Sequence, residues 1–274
     1  MEQYGENLLR TQNLAHIWCA GCGNGTLLAA IVRAIGKLGL DPVKTAIVSG
    51  IGCSSRAPGY MNFDTLHTAH GRALTFATGI KIARPELNVI VITGDGDGTA
   101  IGGNHFIHAA RRNIDLTTII FNNGIYGMTG GQYSPLTPTA SFATTAPYGH
   151  IERAFDIAQL AIAAGATYVA RGTAYHTKVL TDVIASGIEH KGFSVIDAIT
   201  QCPTYYGRKN KMGGAPAMME WQRDHAVMVQ AAAKMTPDQL AGKFVIGELY
   251  RTEAPEYVAE YDKVIARAQK GAKK

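Results

Sequence analysis

Apolar residues in this chain come in short unbroken runs. Asn88-Val-Ile-Val-Ile-Thr93, Thr117-Thr-Ile-Ile-Phe121, Thr45-Ala-Ile-Val-Ser49, Thr167–Ala170 and Phe193-Ser-Val-Ile-Asp-Ala-Ile199 are rich in β-branched residues and mostly lack polar alternation. Such runs predict strands buried on both faces of a parallel sheet. Helical spacing fills much of the sequence between them. Leu27, Leu28, Ile31, Val32 and Ile35 share one helix face, with Asn24 to Thr26 placed to cap it. Further helices are predicted over Ala73–Ala83, Ile151–Ala164 and Lys178–Glu189. Alternation of strand and helix predicts an α/β fold with a doubly wound, mostly parallel sheet. No period of 20–50 residues marks a repeat protein. Residues 1–17 read as a leading arm and Tyr133–Tyr148 as a long Ser/Thr/Pro-rich loop. Beyond a main domain over 1–214, residues 215–274 read as a helical extension: Ala217–Met235 and Ala254–Lys270 around a short Phe244–Tyr250 segment.

At 274 residues with 46% hydrophobic content and 31 glycines, the chain has ample material for a close-packed core. The net charge of +5 is modest. The basic residues Arg208, Lys209, Lys211, Lys270, Lys273 and Lys274 gather late in the sequence without interleaved aromatics, which argues against nucleic acid. An acidic protein partner or an anionic cofactor suits this charge better. No apolar run approaches about 18 residues and no signal peptide precedes the first motif, so the expectation is a soluble cytoplasmic protein with no membrane partner.

The strand at 88–93 delivers Gly94-Asp95-Gly96-Asp97-Gly98 to its C-terminal end, where open α/β sheets bind ligands. A dinucleotide turn would need a third glycine where Thr99 or Ile101 stands. A calcium loop would need glycine at Ala100 and glutamate at Phe106. The remaining reading is a carboxylate that holds Mg²⁺, the metal in turn holding phosphate. The strand at 117–121 ends in Asn122-Asn123-Gly124, and one helix fits the interval from Asp95 to Asn123, so both turns open on one sheet edge. A carboxylate, an amide oxygen, a backbone carbonyl and phosphate oxygens complete a hard octahedral shell. This Gly-Asp-Gly…Asn-Asn arrangement resembles the diphosphate motif of thiamine-diphosphate enzymes.

All four cysteines fall in glycine-rich or strand-end loops. Cys19 and Cys22 form a C-x-x-C in Trp18-Cys-Ala-Gly-Cys-Gly23; Cys53 follows the strand at 45–49 and Cys202 the strand at 193–199. In a cytosolic chain this favours metal or redox chemistry over disulfides, although C-x-x-C alone is shared by zinc and thioredoxin-like sites.

Taken in order, Trp-Cys-x-Gly-Cys-Gly, Gly52-Cys-Ser-Ser-Arg56, His70-Gly-Arg-Ala73, Gly-Asp-Gly-Asp and Asn122-Asn-Gly-Ile-Tyr-Gly-Met-Thr-Gly-Gly-Gln132 make the chain similar, over about residues 12–215, to the β subunits of 2-oxoacid:ferredoxin oxidoreductases. The resemblance implies a thiamine-diphosphate-binding fold. It implies one [4Fe–4S] cluster on Cys19, Cys22, Cys53 and Cys202. It makes Asp95, Asn123 and the carbonyl of Ile125 the Mg²⁺ ligands, with Gly94, Gly96, Gly127 and Thr129 along the diphosphate. Asp97 either joins the cofactor site or holds neighbouring groups. Met128 is expected beneath the thiazolium, or else in the core. Arg56 is expected near the substrate carboxylate, for which a guanidinium fork is suited, or else on the surface. His70 is expected to reach substrate or cofactor, or else to be a satisfied structural histidine.

The activating glutamate for the aminopyrimidine finds no candidate in this sequence; the family supplies it from an α subunit, which places the active site at an interface and leaves this chain inactive alone. The expected reaction is coenzyme A-dependent oxidative decarboxylation of a 2-oxoacid with electrons passing to ferredoxin. The stretch after Cys202 resembles the 2-oxoglutarate type, which makes succinyl-CoA and CO₂ or runs in reverse. There Arg208 is either a cation for a distal carboxylate or a surface or interface charge. Pyruvate or a branched-chain 2-oxoacid is the rival substrate. Two readings compete with a redox enzyme: a non-redox decarboxylase with a structural zinc site, and a noncatalytic scaffold.

Overall fold

The computed structural model describes residues 6–271; the first five residues of the arm and residues 272–274, with Lys273 and Lys274, lie outside them. Eight strands form one sheet: β1 (Thr45–Ser49), β2 (Asp64–His67), β3 (Asn88–Gly94), β4 (Leu116–Asn122), β5 (Tyr168–Thr173), β6 (Phe193–Ile199), β7 (Ala226–Met228) and β8 (Phe244–Arg251). Their order is β2-β1-β3-β4-β6-β5-β8-β7. Every pairing is parallel except that of β5 with β8, so the predicted fold class holds.

Buried β-branched residues alternate between the two sheet faces, which explains why the runs lack polar positions. Ile90 and Ile92 join Ile47, Ile119 and Ile196 in a core under α1 (Asn24–Leu38) and α5 (Thr177–Glu189). Val89 and Val91 join Val48, Ile120 and Val195 in a second core under α2 (Ala73–Ala83), α3 (Gly103–Arg111) and α4 (Ile157–Ala164).

Three elements differ from expectation. Helix α4 begins at Ile157 rather than Ile151, because the Asp156 carboxylate caps it by accepting from the Ala158 and Gln159 amides; Ile151 is left 90% exposed. The edge strand β2 has four exposed residues and no apolar signal in the sequence. The helix expected over Ala217–Met235 is interrupted. It resolves into α6 (Ala215–His225), β7, and α7 (Val229–Ala232), where cross-strand pairing of Ala226 with Phe244 overrides local helix preference. After α8 (Pro237–Leu240), β8 runs antiparallel along β5, so the extension continues the main sheet, and α9 (Tyr257–Gly271) closes the described chain. Among the described residues no helix is long and apolar enough to cross a membrane.

Candidate functional site

The chain leaves β1 to form β2 on one side and then returns to place β3 on the other. That reversal opens a crevice at the carboxyl ends of β1 and β3, where doubly wound sheets bind ligands. The turn Gly50–Cys53 leaves β1, the turn Gly94–Asp97 leaves β3, and Asn122–Gly124 leaves β4. Pairing of Gly94 with Phe121 sets the last two turns level on one edge. The sequence-derived carboxylate and amide are thus brought together by register.

Asp95 is 3% exposed, and its Oδ2 accepts from Ser134 Oγ at 2.7 Å. Burial pushes its carboxyl up to about 7, although Ser134 and the backbone amides of Gly96 and Ile125 pull the other way. A buried acid held this close to neutrality lacks a countercharge, which a divalent cation would supply. Asn123 lines the same cleft, and its Oδ1 accepts from the Ile125 amide at 3.2 Å. Ile125 is fully buried beside it. The glycines of the turn are sterically required. A Cβ on Gly96 would stand 2.1 Å from the Tyr126 ring, whose hydroxyl donates to the Gly96 carbonyl at 3.0 Å. A Cβ on Gly50 would stand 2.1 Å from the Asp97 carboxylate.

Asp97 has both oxygens occupied. Oδ1 accepts from the Gly71 and Ile51 amides at 2.7 and 3.2 Å and meets His70 Nδ1 at 2.5 Å; Oδ2 accepts from Thr93 at 2.6 Å. Of its two expected uses, this geometry is that of holding neighbouring groups. It ties the loops after β1 and β2 to the end of β3. His70 lines the cleft with its ring edge-on to Tyr126. Met128 is 47% exposed at the cleft and is therefore not a core methionine; Thr129 is exposed too, donating to Gln132 Oε1 at 2.6 Å. Arg56 stands exposed in the turn after Cys53, outside the cleft lining, and pairs with no carboxylate among the described residues.

The four cysteines are free thiols within electrostatic reach of one another. Cys202 is buried, Cys22 and Cys53 are half-buried, and Cys19 is exposed. Burial first, then the neighbouring sulfurs, push Cys53 up to about 11; burial likewise pushes Cys22 up to about 12, against an amide of Asn24. Burial thus disfavours bare thiolates at Cys22 and Cys53, and a cationic metal core that takes thiolates is what they fit. Gly127 joins the two halves of the site: a Cβ there would meet Cys53 Sγ at 3.3 Å and Cys202 Sγ at 3.8 Å.

Ser134 and Thr137 are not among the residues that the sequence motifs point to. Inside the stretch read as a loop, Ser134 holds Asp95 while Thr137 donates to the Gly124 carbonyl at 2.6 Å, so one turn braces both ligand-bearing turns. The spacing Ser-x-x-Thr was the available signal, being a hydroxyl pair suited to a local turn. The cleft around Asp95 measures only ≈ 90 Å³. That is far below the roughly 300–1,000 Å³ of a complete small-molecule site. A larger cavity of ≈ 790 Å³ lies across Asn122–Gly124, between Phe142, Phe155 and Trp221, but contains neither Asp95 nor a cysteine.

Comparison with known proteins accords with this geometry. The family described as "Thiamine pyrophosphate enzyme, C-terminal TPP binding domain" matches residues 50–198. The chain is 54% identical over 248 residues to the 2-oxoglutarate synthase subunit KorB of Methanothermobacter marburgensis, covering 90% of this chain and 87% of that one. It is 53% identical over 259 residues to its namesake in Methanocaldococcus jannaschii, covering 94% and 96%. The structure of 2-oxoglutarate:ferredoxin oxidoreductase from Magnetococcus marinus, with 2-oxoglutarate, coenzyme A and succinyl-CoA bound, superposes with a TM-score of 0.86 at 36% identity, covering 98% and 94%. The chain belongs to the family of 2-oxoacid:ferredoxin oxidoreductase β subunits that includes the 2-oxoglutarate synthase subunits KorB, and is a thiamine pyrophosphate-binding subunit of an oxidoreductase that acts with other subunits.

Proposed function

We propose that the chain is the β subunit of a 2-oxoglutarate:ferredoxin oxidoreductase, active with an α subunit, and that it holds Mg²⁺ and a [4Fe–4S] cluster besides thiamine diphosphate. The observation that carries this reading is the contact of Gly127 with Cys53 and Cys202, in the same loop system that carries Asp95 and Asn123. When bound, thiamine diphosphate supplies the nucleophilic carbon and electron sink for loss of CO₂ from a 2-oxoacid, and the cluster supplies a one-electron exit.

The residues of this chain bind and orient. Asp95, Asn123 and the Ile125 carbonyl would hold Mg²⁺, with Gly94, Gly96, Gly127 and Thr129 lining the diphosphate. Asp97 fixes His70 at the cleft wall by taking its Nδ1. Met128 presents an exposed apolar surface that a cofactor ring and the α subunit would cover. Arg56, exposed outside the cleft lining, would reach a substrate carboxylate only at the mouth of the cleft, where its guanidinium offers a bidentate fork. Cys19, Cys22, Cys53 and Cys202 would each take one iron. The M. marburgensis and M. jannaschii relatives carry the 2-oxoglutarate synthase name, and the M. marinus structure contains the corresponding substrate and product. These favour 2-oxoglutarate and coenzyme A going to succinyl-CoA and CO₂, or the reverse, with ferredoxin as electron partner.

A zinc site is less well supported. Among the described residues no group of three or more His, Cys, Asp or Glu is gathered closely enough to hold a single metal ion, so the preference for a cluster over one zinc rests on the ferredoxin-dependent relatives. A four-iron cluster takes one thiolate per iron and spaces its ligands more widely. Coenzyme A-dependent reduction of ferredoxin by the assembled enzyme, assayed side by side with 2-oxoglutarate, pyruvate and branched-chain 2-oxoacids, tests the substrate. A strong preference for pyruvate would overturn that part of the reading.

A further inference from the structure

Each cysteine lies in a stretch of sequence without a single carboxylate. Residues 7–40 hold Cys19 and Cys22, residues 42–63 hold Cys53, and residues 198–219 hold Cys202; together they contain eight lysines and arginines and no aspartate or glutamate, in a chain with 26 basic and 21 acidic residues. The fold gathers these stretches. After Cys202 the chain turns through Pro203–Gly207, the Gly207 amide donating to the Cys202 carbonyl at 2.9 Å, and Arg208, Lys209 and Lys211 follow at once. The chain then returns to the Cys19–Cys22 loop. A Cβ on Gly21 would meet Ala215 Cβ at 2.5 Å and Pro203 Cγ at 3.7 Å, so both ends of the basic segment pack on that loop. Arg208, Lys209 and Lys211 are exposed, as is Arg33 on α1, the helix that starts just after Cys22, and none of the four is in an ion pair among the described residues. Cys19 is the exposed member of the thiol group. The loops that carry the thiols are therefore bordered by a rim of positive charge, whose Lys209 and Lys211 also line the ≈ 790 Å³ cavity and whose Arg33 lies farther along α1.

We infer that this rim is the docking surface for an acidic electron-carrier protein. The inference rests on the reading of the four thiols as a redox cluster. A small anion would call for short, convergent, partly buried donors. Long exposed cations spread around an opening suit the extended negative field of a protein, which they steer and orient.

The test uses the enzyme assembled with its α subunit and a low-potential acidic ferredoxin kept oxidised, so that binding is read without turnover. Affinities are measured by calorimetry in 50 and 500 mM NaCl for the wild type, R208E/K211E, R33E, and K234E on the distant extension, each with its iron and sulfide content. The double reversal should weaken binding about tenfold or more at low salt, R33E should weaken it less, and the differences should collapse at high salt, where the screening length falls to a few ångströms. K234E should bind as the wild type does. Unchanged affinity of R208E/K211E with full iron content would overturn the docking surface alone. So would loss of assembly with the α subunit, since the rim would then be a subunit contact. Wild-type enzyme without iron would overturn the cluster reading itself, whatever the affinities.

Discussion

Replacing Asp95 by Asn isolates the electrostatic strain at the centre of the site. In the metal-free protein burial holds the Asp95 carboxyl at about 7, against 3.8 for the ordinary group. Between these values the folded state keeps a proton that the unfolded chain has lost. The resulting stability is full at low pH and is lost as pH rises through 7. From pH 5.5 to pH 8 the loss integrates to about 1.5 pK units, or about 2 kcal/mol. For a chain of this size that corresponds to about 4–8 °C in melting temperature. Asn cannot ionise, so the melting temperature of Asp95→Asn should gain about that much on the wild type between the two pH values in EDTA. Comparing the two proteins at each pH cancels every other titrating group. Adding Mg²⁺ with thiamine diphosphate at pH 8 should raise the wild-type melting temperature and leave Asp95→Asn unmoved. A gap that does not change with pH would refute the buried, strained carboxylate, and equal stabilisation by Mg²⁺ and cofactor would refute its role as a ligand.

Ser134→Ala removes the hydroxyl that fixes Asp95 Oδ2. A bond to a charged group of about 1.5–3 kcal/mol implies Mg²⁺-dependent thiamine diphosphate binding weaker by about tenfold or more, with iron content unchanged; wild-type affinity would show that Asp95 is positioned without it. Gly96→Ala drives a methyl group into the Tyr126 ring and should destabilise by about 1–3 kcal/mol. That loss should shrink in Gly96→Ala/Tyr126→Ala relative to Tyr126→Ala, and strictly additive unfolding energies would count against the clash. His190, which shares a hydrogen bond with Thr167, is lowered from 6.5 mainly by burial and then by Arg251. Its neutral form supports the fold, so the associated stability is full above 6.5 and is lost as pH falls below it. His190→Gln should flatten that part of the stability profile, and an unchanged acid limb in the melting curves would argue otherwise.

Much of this architecture is legible in the sequence because the central strands are buried on both faces. The bounds of β1, β6 and α2 agree with the patterns that predict them. What escapes is held by distant partners. Strands β2 and β7 are short edge elements whose pairing, not composition, makes them strands. The start of α4 turns on the single cap Asp156. In the site, Asp95 and Asn123 could be matched because adjacent parallel strands fix their spacing. Asp97 could not be assigned, since three of its donors belong to His70, Gly71 and Ile51, brought to it by the sheet reversal. Ser134 was hidden for the opposite reason: a buried functional hydroxyl lay in a stretch whose composition signals only a loop.

The most direct test of the central claim is the metal content of the anaerobically purified α–β assembly, read as iron and acid-labile sulfide with the visible and EPR spectrum before and after dithionite. Four irons and four sulfides per β chain are expected, on the one-thiolate-per-iron reading of the four cysteines, with a cluster that dithionite reduces. Zinc in place of iron, or a thiol group that holds no metal, would contradict it and return the chain to the non-redox decarboxylase reading.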